Sequence, residues 1–182
     1  MVDNGKPSLQ DFTTVNSNVE KYKKDYNLAN FSNAFYFLAL NLILGLQDDE
    51  IDESITDTHY LKCAGKESGH DRGIDTVYID NSDDIPIIHF FNFKYTEKFD
   101  KINDFFPSSE IDNILTFLRG LLSRNTNLES SVNPILYAKV TEIWEIFQNT
   151  SRRIQNKTHA SLKTNNYAIY HVVVLINVPS IA

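Results

Sequence analysis

The pattern of apolar and polar positions predicts four helices and a late buried strand. Apolar residues recur at helical spacing in four segments, which are residues 12–22, 31–46, 111–122 and 134–148. The second of these segments is apolar on every side, which indicates burial on more than one face. Residues 168–178 form a long, mostly apolar run, typical of a central strand covered on both faces. Residues 59–63 are compatible with a further short strand.

Between the helical segments the chain predicts a β-hairpin. Residues 74–79 and 85–93 are rich in Ile, Val, Phe and Tyr, which suit a half-buried pleated surface. Residues 81–84 read Asn-Ser-Asp-Asp, a cluster of turn-forming residues. If these four residues form the loop, Asp80 pairs with Ile85.

The predicted register brings three polar residues to one face of the hairpin. Asp75 lies opposite Phe90, and alternation places Asn92 and Lys94 on the face of Asp75. A slip of one residue would separate the three. A carboxylate can hold Mg²⁺, and a lysine beside it can orient water or stabilise charge on a phosphate. The group is a candidate site for metal-assisted phosphodiester hydrolysis; an ordinary ion pair between Asp75 and Lys94 is the alternative.

Two short motifs in this region resemble a known family. Residues 69–75, Gly-His-Asp-Arg-Gly-Ile-Asp, and residues 91–95, Phe-Asn-Phe-Lys-Tyr, are similar to the PD-(D/E)xK, or restriction-endonuclease-like, nuclease domain. Within that group the chain is most similar to the amino-terminal domain of the abortive-infection phage-resistance (AIPR) proteins. The resemblance implies an α/β fold with a mixed central β-sheet flanked by helices. It also implies a Mg²⁺- or Mn²⁺-dependent endonuclease that cleaves DNA or RNA in antiviral defence.

The resemblance assigns roles to individual residues. Asp75 matches the metal-binding aspartate of the family, and Lys94 matches its catalytic lysine. Asn92 takes the place of the second acid, so its amide oxygen and the Phe93 carbonyl would complete part of the metal shell. Asn92 brings no negative charge, and residues 31–46 lack the glutamate that many members carry on the first core helix. Both departures favour the alternative, a catalytically inactive nuclease-fold module that binds nucleic acid or a protein partner.

Charge is distributed unevenly along the chain, whose formal net charge is −7. Residues 1–93 hold seven Lys or Arg against sixteen Asp or Glu, whereas residues 94–182 hold ten against eight. A phosphate-binding face is therefore expected from the second half. Residues 151–163 contain no acid, and either bind nucleic acid or form an exposed polar linker. The candidate nucleic-acid contacts are Arg72, Arg152, Arg153, Lys157 and Lys163, with a clamp on Asp71 as the alternative role of Arg72.

The chain of 182 residues, 42% of them hydrophobic, is long enough for a single folded domain. Its expected parts are a helical region over 8–47, the catalytic hairpin over 69–95, helices over 107–150 and a last core strand over 168–178. A single cysteine, Cys63, permits no internal disulfide, and no signal segment or membrane span is visible, so we expect a cytoplasmic protein without membrane contact. Phage-resistance proteins of the type that this chain resembles are usually much longer, and the chain ends soon after its last strand, so we expect a further domain or a partner chain. A homo-oligomer is the alternative.

Overall fold

The helices and strands are known from a computed structural model that describes residues 8–82, 86–102, 107–160 and 172–176, with side chains described up to residue 149. The elements in these ranges are α1 (Leu9–Asp25), α2 (Phe31–Leu44), α3 (Asp48–Ser54), α4 (Thr58–Cys63), β1 (Thr76–Asp80), β2 (Ile87–Asn92), a 3₁₀ helix (Phe99–Lys101), α5 (Ser108–Leu122), α6 (Leu128–Ser131), α7 (Pro134–Ala160) and β3 (Val172–Ile176). The fold is mixed α/β, as predicted. No helix in the described ranges combines the length and the apolar character needed to cross a membrane.

The chain divides into two compact units. One unit draws on residues 1–55, 92–107 and 175–182, and the other on residues 56–91 and 108–174. Because the chain alternates between the units along its length, they are not successive domains. The single domain expected from the chain length stays a prediction.

Local signals set the ends of the two long helices of the first unit. Ser8 begins α1 with a capping box, in which its Oγ accepts from the Asp11 amide at 3.1 Å and its amide donates to the Asp11 carboxylate at 2.9 Å. Asn30 caps α2, and Gly45 ends it in the left-handed region at φ +69°. Residues 33–40 of α2 are all buried, as their apolar character on every side predicted.

The core of the second unit lies between the hairpin and the helices α5 and α7. Its members are fully or almost fully buried apolar side chains, chiefly Ile74, Val77, Ile79, Ile88, Phe90, Ile114, Phe117, Leu121, Leu136, Val140 and Ile143. The rings of Phe90 and Phe117 meet edge to face with centroids 6.0 Å apart, which joins β2 to α5. Trp144 of α7 donates from its indole Nε1 to the Leu121 carbonyl at 2.8 Å, which joins α7 to α5.

The register of the hairpin differs by two residues from the predicted one. Strands β1 and β2 are antiparallel, and Asp80 pairs with Ile87, so the predicted pairing of Asp80 with Ile85 is wrong. The physical reason is Pro86, which has no amide hydrogen to donate to a ladder and therefore lies before β2. Because the shift is even, the side chains of β1 and β2 stay on their predicted faces.

Two helices differ from the predicted elements. Residues 59–63 belong to α4 and not to a strand, because Asp57 caps this helix by accepting from the Tyr60 amide at 2.6 Å. Helix α7 continues to Ala160, beyond the predicted end at residue 148. Neither Gly nor Pro occurs between residues 148 and 160 to interrupt it.

The described part of the late strand takes a different place in the sheet from the predicted one. It spans Val172–Ile176, and the rest of the predicted run over 168–178 lies outside the described residues. Among the described strands the order is β1-β2-β3, so β2 takes the central position and β3 an edge. The predicted central position of the late strand is wrong, since an apolar run indicates burial but not order within a sheet.

Candidate active site

Asp75 lies directly before β1 and is only 8% exposed. Its amide donates to the Phe91 carbonyl at 2.8 Å, which extends the hairpin ladder by one residue. Its carbonyl accepts from the Thr56 amide at 2.8 Å and from the Asp57 amide at 3.0 Å. Both backbone polar groups of Asp75 are thus bonded, and its Cα is held in place from two sides.

Alternation along the strands determines the face on which each candidate side chain lies. Val77 pairs with Phe90, and both belong to the apolar core, so the predicted pairing of Asp75 with Phe90 is wrong. Asp75 precedes Val77 by two residues, and Asn92, which is 6% exposed, follows Phe90 by two. The even shift of register therefore leaves the predicted common face of Asp75 and Asn92 unchanged.

The predicted catalytic residues are divided between the two units. Asp75 belongs to one unit, whereas Asn92, Phe93 and Lys94 belong to the other. Lys94 follows the end of β2 and is partly buried. Phe93 is buried, and its ring meets that of Phe35 edge to face with centroids 5.9 Å apart. The grouping of these four residues into one site stays a prediction.

Arg72 contacts the segment that precedes α7. It adopts the left-handed region at φ +57°, and its Nε donates to the Ser131 carbonyl at 3.0 Å. The Asp71 carboxylate, its alternative partner, accepts instead from the amides of Thr58 at 3.0 Å and Gly73 at 2.9 Å. Because a guanidinium has five N–H donors, the bond to Ser131 does not exclude a phosphate contact by Arg72. That contact stays a prediction.

Two carboxyl groups, those of Asp57 and Asp71, interact near the start of α4. Burial is the main cause that raises the pKa of Asp57, and the charge of Asp71 raises it further. The hydrogen bond from the Tyr60 amide acts in the opposite direction, because it stabilises the ionised form. The side chain of Asp57 therefore caps α4, while its backbone amide donates to the Asp75 carbonyl.

Sequence reasoning missed two buried polar residues, of which one contacts the Asp75 backbone and the other contacts the first. Thr56 and Asn133 are both 0% exposed. Thr56 Oγ1 donates to the Ile74 carbonyl at 2.6 Å, and Asn133 Nδ2 donates to the Thr56 carbonyl at 2.9 Å. Asn followed by Pro134 is a recognisable helix start and could have pointed to Asn133. Thr56 carries no comparable signal.

The basic segment lies largely within α7. Arg152, Arg153 and Lys157 belong to this helix, and the alternative of an exposed polar linker stays open for it. Lys163 lies outside the described residues. Whether the basic residues bind nucleic acid stays a prediction.

The residues predicted to hold Mg²⁺ fit that ion in donor type. The Asp75 carboxylate, the Asn92 amide and the Phe93 carbonyl would all offer oxygen, which this hard cation prefers. They supply a single negative charge between them. Within the part of the chain that the structure describes, no group of three or more His, Cys, Asp or Glu side chains could hold a metal ion.

Comparison of the chain with protein-family models, with curated proteins and with solved structures finds no match in any of the three. The resemblance to restriction-endonuclease-like domains therefore rests on the two motifs and on the arrangement of the residues within them.

Proposed function

We propose that this chain is a metal-dependent nuclease domain of the PD-(D/E)xK type, similar to that of the AIPR proteins, which hydrolyses phosphodiester bonds in DNA or RNA. The observation that carries the proposal is the hairpin itself. Asp75 is buried directly before β1, and β2 ends at the buried Asn92, with Lys94 two residues further on. The even shift of register preserves the face that the proposal requires of Asp75 and Asn92.

The chemistry proposed for these residues follows from their donor atoms. Asp75, Asn92 and the Phe93 carbonyl would hold Mg²⁺ or Mn²⁺. When bound, such a cation polarises a phosphoryl oxygen and lowers the pKa of a coordinated water. The Lys94 ammonium would donate to a non-bridging phosphate oxygen and stabilise the charge that develops there. Arg72 and the basic end of α7 would bind the nucleic-acid backbone.

The proposal extends to the fold and the setting of the domain. The antiparallel hairpin, the helices after it and a third strand beside β2 support a restriction-endonuclease-like core. The single cysteine, Cys63, is exposed and free, which suits a reducing cytoplasm. A role in defence against phages rests on the resemblance alone.

The test is cleavage of plasmid, single-stranded DNA and single-stranded RNA with Mg²⁺ or Mn²⁺, beside EDTA. We expect metal-dependent cutting that falls about 10²–10³-fold in Lys94→Ala, the cost of removing one charge-stabilising donor. Lys98→Ala, which removes an exposed lysine four residues further on, is the matched control and should cut like the wild type. Cutting that survives Lys94→Ala would refute the assigned site.

One observation favours a second candidate function, a nuclease-fold module that binds without cleaving. Asn92 supplies an uncharged amide where the motif has a carboxylate, which weakens the hold on a divalent cation. This candidate predicts no cleavage by the wild type and nucleic-acid binding that weakens with salt but needs no metal. Cleavage should then appear in Asn92→Asp, which changes the amide to a carboxylate of almost the same size.

A further inference from the structure

We infer that Thr56 and Asn133 are positioning residues for Asp75, and that this buried pair determines how well the proposed site takes up its metal. The inference rests on the proposed function and adds to it two residues that would touch neither metal nor substrate. All of the contacts that carry it lie within one compact unit.

Thr56 bonds the peptide groups on both sides of the Asp75 Cα. Its amide donates to the Asp75 carbonyl at 2.8 Å, and its Oγ1 donates to the Ile74 carbonyl at 2.6 Å. The Asp75 amide donates in turn to the Phe91 carbonyl of β2 at 2.8 Å. Two consecutive carbonyls and the amide between them are therefore bonded. This limits rotation of the backbone that carries the carboxylate.

Asn133 connects Thr56 to the start of α7. Its Nδ2 donates to the Thr56 carbonyl at 2.9 Å, and its Oδ1 accepts from the Leu136 amide at 2.8 Å as the helix cap. Its own amide donates to the His70 carbonyl at 2.7 Å. One fully buried side chain and its amide thus join three separate segments: the start of α7, Thr56 and the loop that precedes Asp75.

The loop from Gly69 to Asp75 is held against Asn133 at close range. A Cβ atom added at Gly69 would lie 3.2 Å from both Cα and Cβ of Asn133, so Asn133 would have to move by a few tenths of an ångström to admit it. Thr58 Oγ1 donates to the Gly69 carbonyl, and Arg72 Nε donates to the Ser131 carbonyl at 3.0 Å. The loop is therefore bonded at its beginning, at its middle and at Asp75.

Hydrogen bonds that orient a metal ligand have a known effect on metal sites, and those of Thr56 would act in the same way through the backbone that carries the Asp75 carboxylate. Residues that orient a ligand without touching the metal typically change metal affinity or activity about 10–100-fold when they are mutated. Fully buried bonds have large effects because water cannot replace a lost partner. Loss of the Thr56 hydroxyl should therefore loosen Asp75 and weaken the proposed metal uptake.

The variants separate the hydroxyl from the shape of the side chain. Thr56→Val keeps the shape and removes the bond to Ile74, whereas Thr56→Ser keeps the hydroxyl. Asn133→Ser keeps an acceptor for the helix cap but removes the donor to the Thr56 carbonyl. The control is Ser54→Ala, which removes a hydroxyl bond of 2.9 Å from a residue as buried as Thr56 that lies in the other unit.

Two measurements are made on each variant of the full chain. The first is the Mg²⁺ concentration that gives half-maximal cleavage. The second is the hydrogen-exchange rate of the Asp75 amide in the metal-free protein by NMR, with the Val140 amide in α7 as the reference for unfolding of the same unit. The second measurement needs no activity, so it tests the inference independently of the proposed function.

We expect Thr56→Val and Asn133→Ser to raise the half-saturating Mg²⁺ concentration about 10–100-fold, and Thr56→Ser and Ser54→Ala to stay close to the wild type. Exchange of the Asp75 amide should accelerate more than that of Val140. Unchanged metal dependence, or equal acceleration of both amides, would overturn the inference and leave the proposed function standing. If the wild type shows no metal-dependent cleavage, the proposed function fails, and the exchange rates alone decide whether Thr56 and Asn133 position Asp75.

Discussion

The most destabilising substitution that we predict is Asn133→Ala. The Asn133 side chain is fully buried and makes two short hydrogen bonds, one as the cap of α7 and one to the Thr56 carbonyl. Alanine removes both and leaves the Leu136 amide and the Thr56 carbonyl without these partners in the interior. We therefore expect two separate contributions to the loss of stability of the second unit, one from each lost hydrogen bond.

The magnitude follows from the two bonds. Loss of a helix cap costs about 1 kcal/mol, and a buried carbonyl that loses its donor costs about 1–3 kcal/mol. Asn133→Ala should thus lower the free energy of unfolding by about 2–4 kcal/mol, a large part of the 5–15 kcal/mol typical of a folded domain. Asn133→Ser keeps the cap and should lose about 1 kcal/mol less.

The assay is urea unfolding followed by the fluorescence of Trp144. It is the only tryptophan of the chain and lies in α7, in the same unit as Asn133. With a slope of about 2 kcal/mol per molar urea, a loss of 3 kcal/mol lowers the midpoint by about 1.5 M. Asn127→Ala is the matched control, since Asn127 stands before α6 but its side chain makes no capping hydrogen bond. Equal and small shifts in Asn133→Ala and Asn127→Ala would refute the reasoning.

Two further predictions concern the loop and the hairpin. Gly69→Ala should lower the free energy of unfolding by about 1–3 kcal/mol, because its Cβ would meet the Asn133 backbone; a Trp144 midpoint equal to that of the wild type would contradict this. Burial lowers the pKa of His89, although the charge of Asp80 opposes the shift. The unfolded chain therefore binds the proton more readily, so stability is complete above the ordinary pKa of 6.5 and falls as the pH drops through it. Unfolding of His89→Phe between pH 5 and 7 should lose this dependence, and a slope as steep as that of the wild type would exclude His89 as its source.

Much of the secondary structure was predictable because its causes are local. The capping box at Ser8, the cap at Asn30 and the left-handed Gly45 each act within a few residues of the chain. Strand alternation has a period of two, so the faces predicted for the side chains of β1 and β2 are unchanged even though the predicted register is wrong. These features need no knowledge of distant partners.

Short elements and strand order were less predictable. Residues 59–63 are too few for periodicity to separate helix from strand, and the Asp57 cap decided for the helix. An apolar run over 168–178 indicates burial, but the position of β3 beside β2 depends on which strands meet. Pro86 is visible in the sequence, but the prediction of Ile85 as the first paired residue took no account of its missing amide hydrogen.

The sequence by itself determined the caps of α1 and α2, the presence of the hairpin and the order of Asp75, Asn92 and Lys94 along it. Only the tertiary structure showed how Asp75 is held. Asn133 and Thr56 are 77 positions apart along the chain, and their bond forms because α7 begins beside the loop that precedes β1. No local pattern encodes such a contact, since it depends on the packing of segments that are distant in sequence.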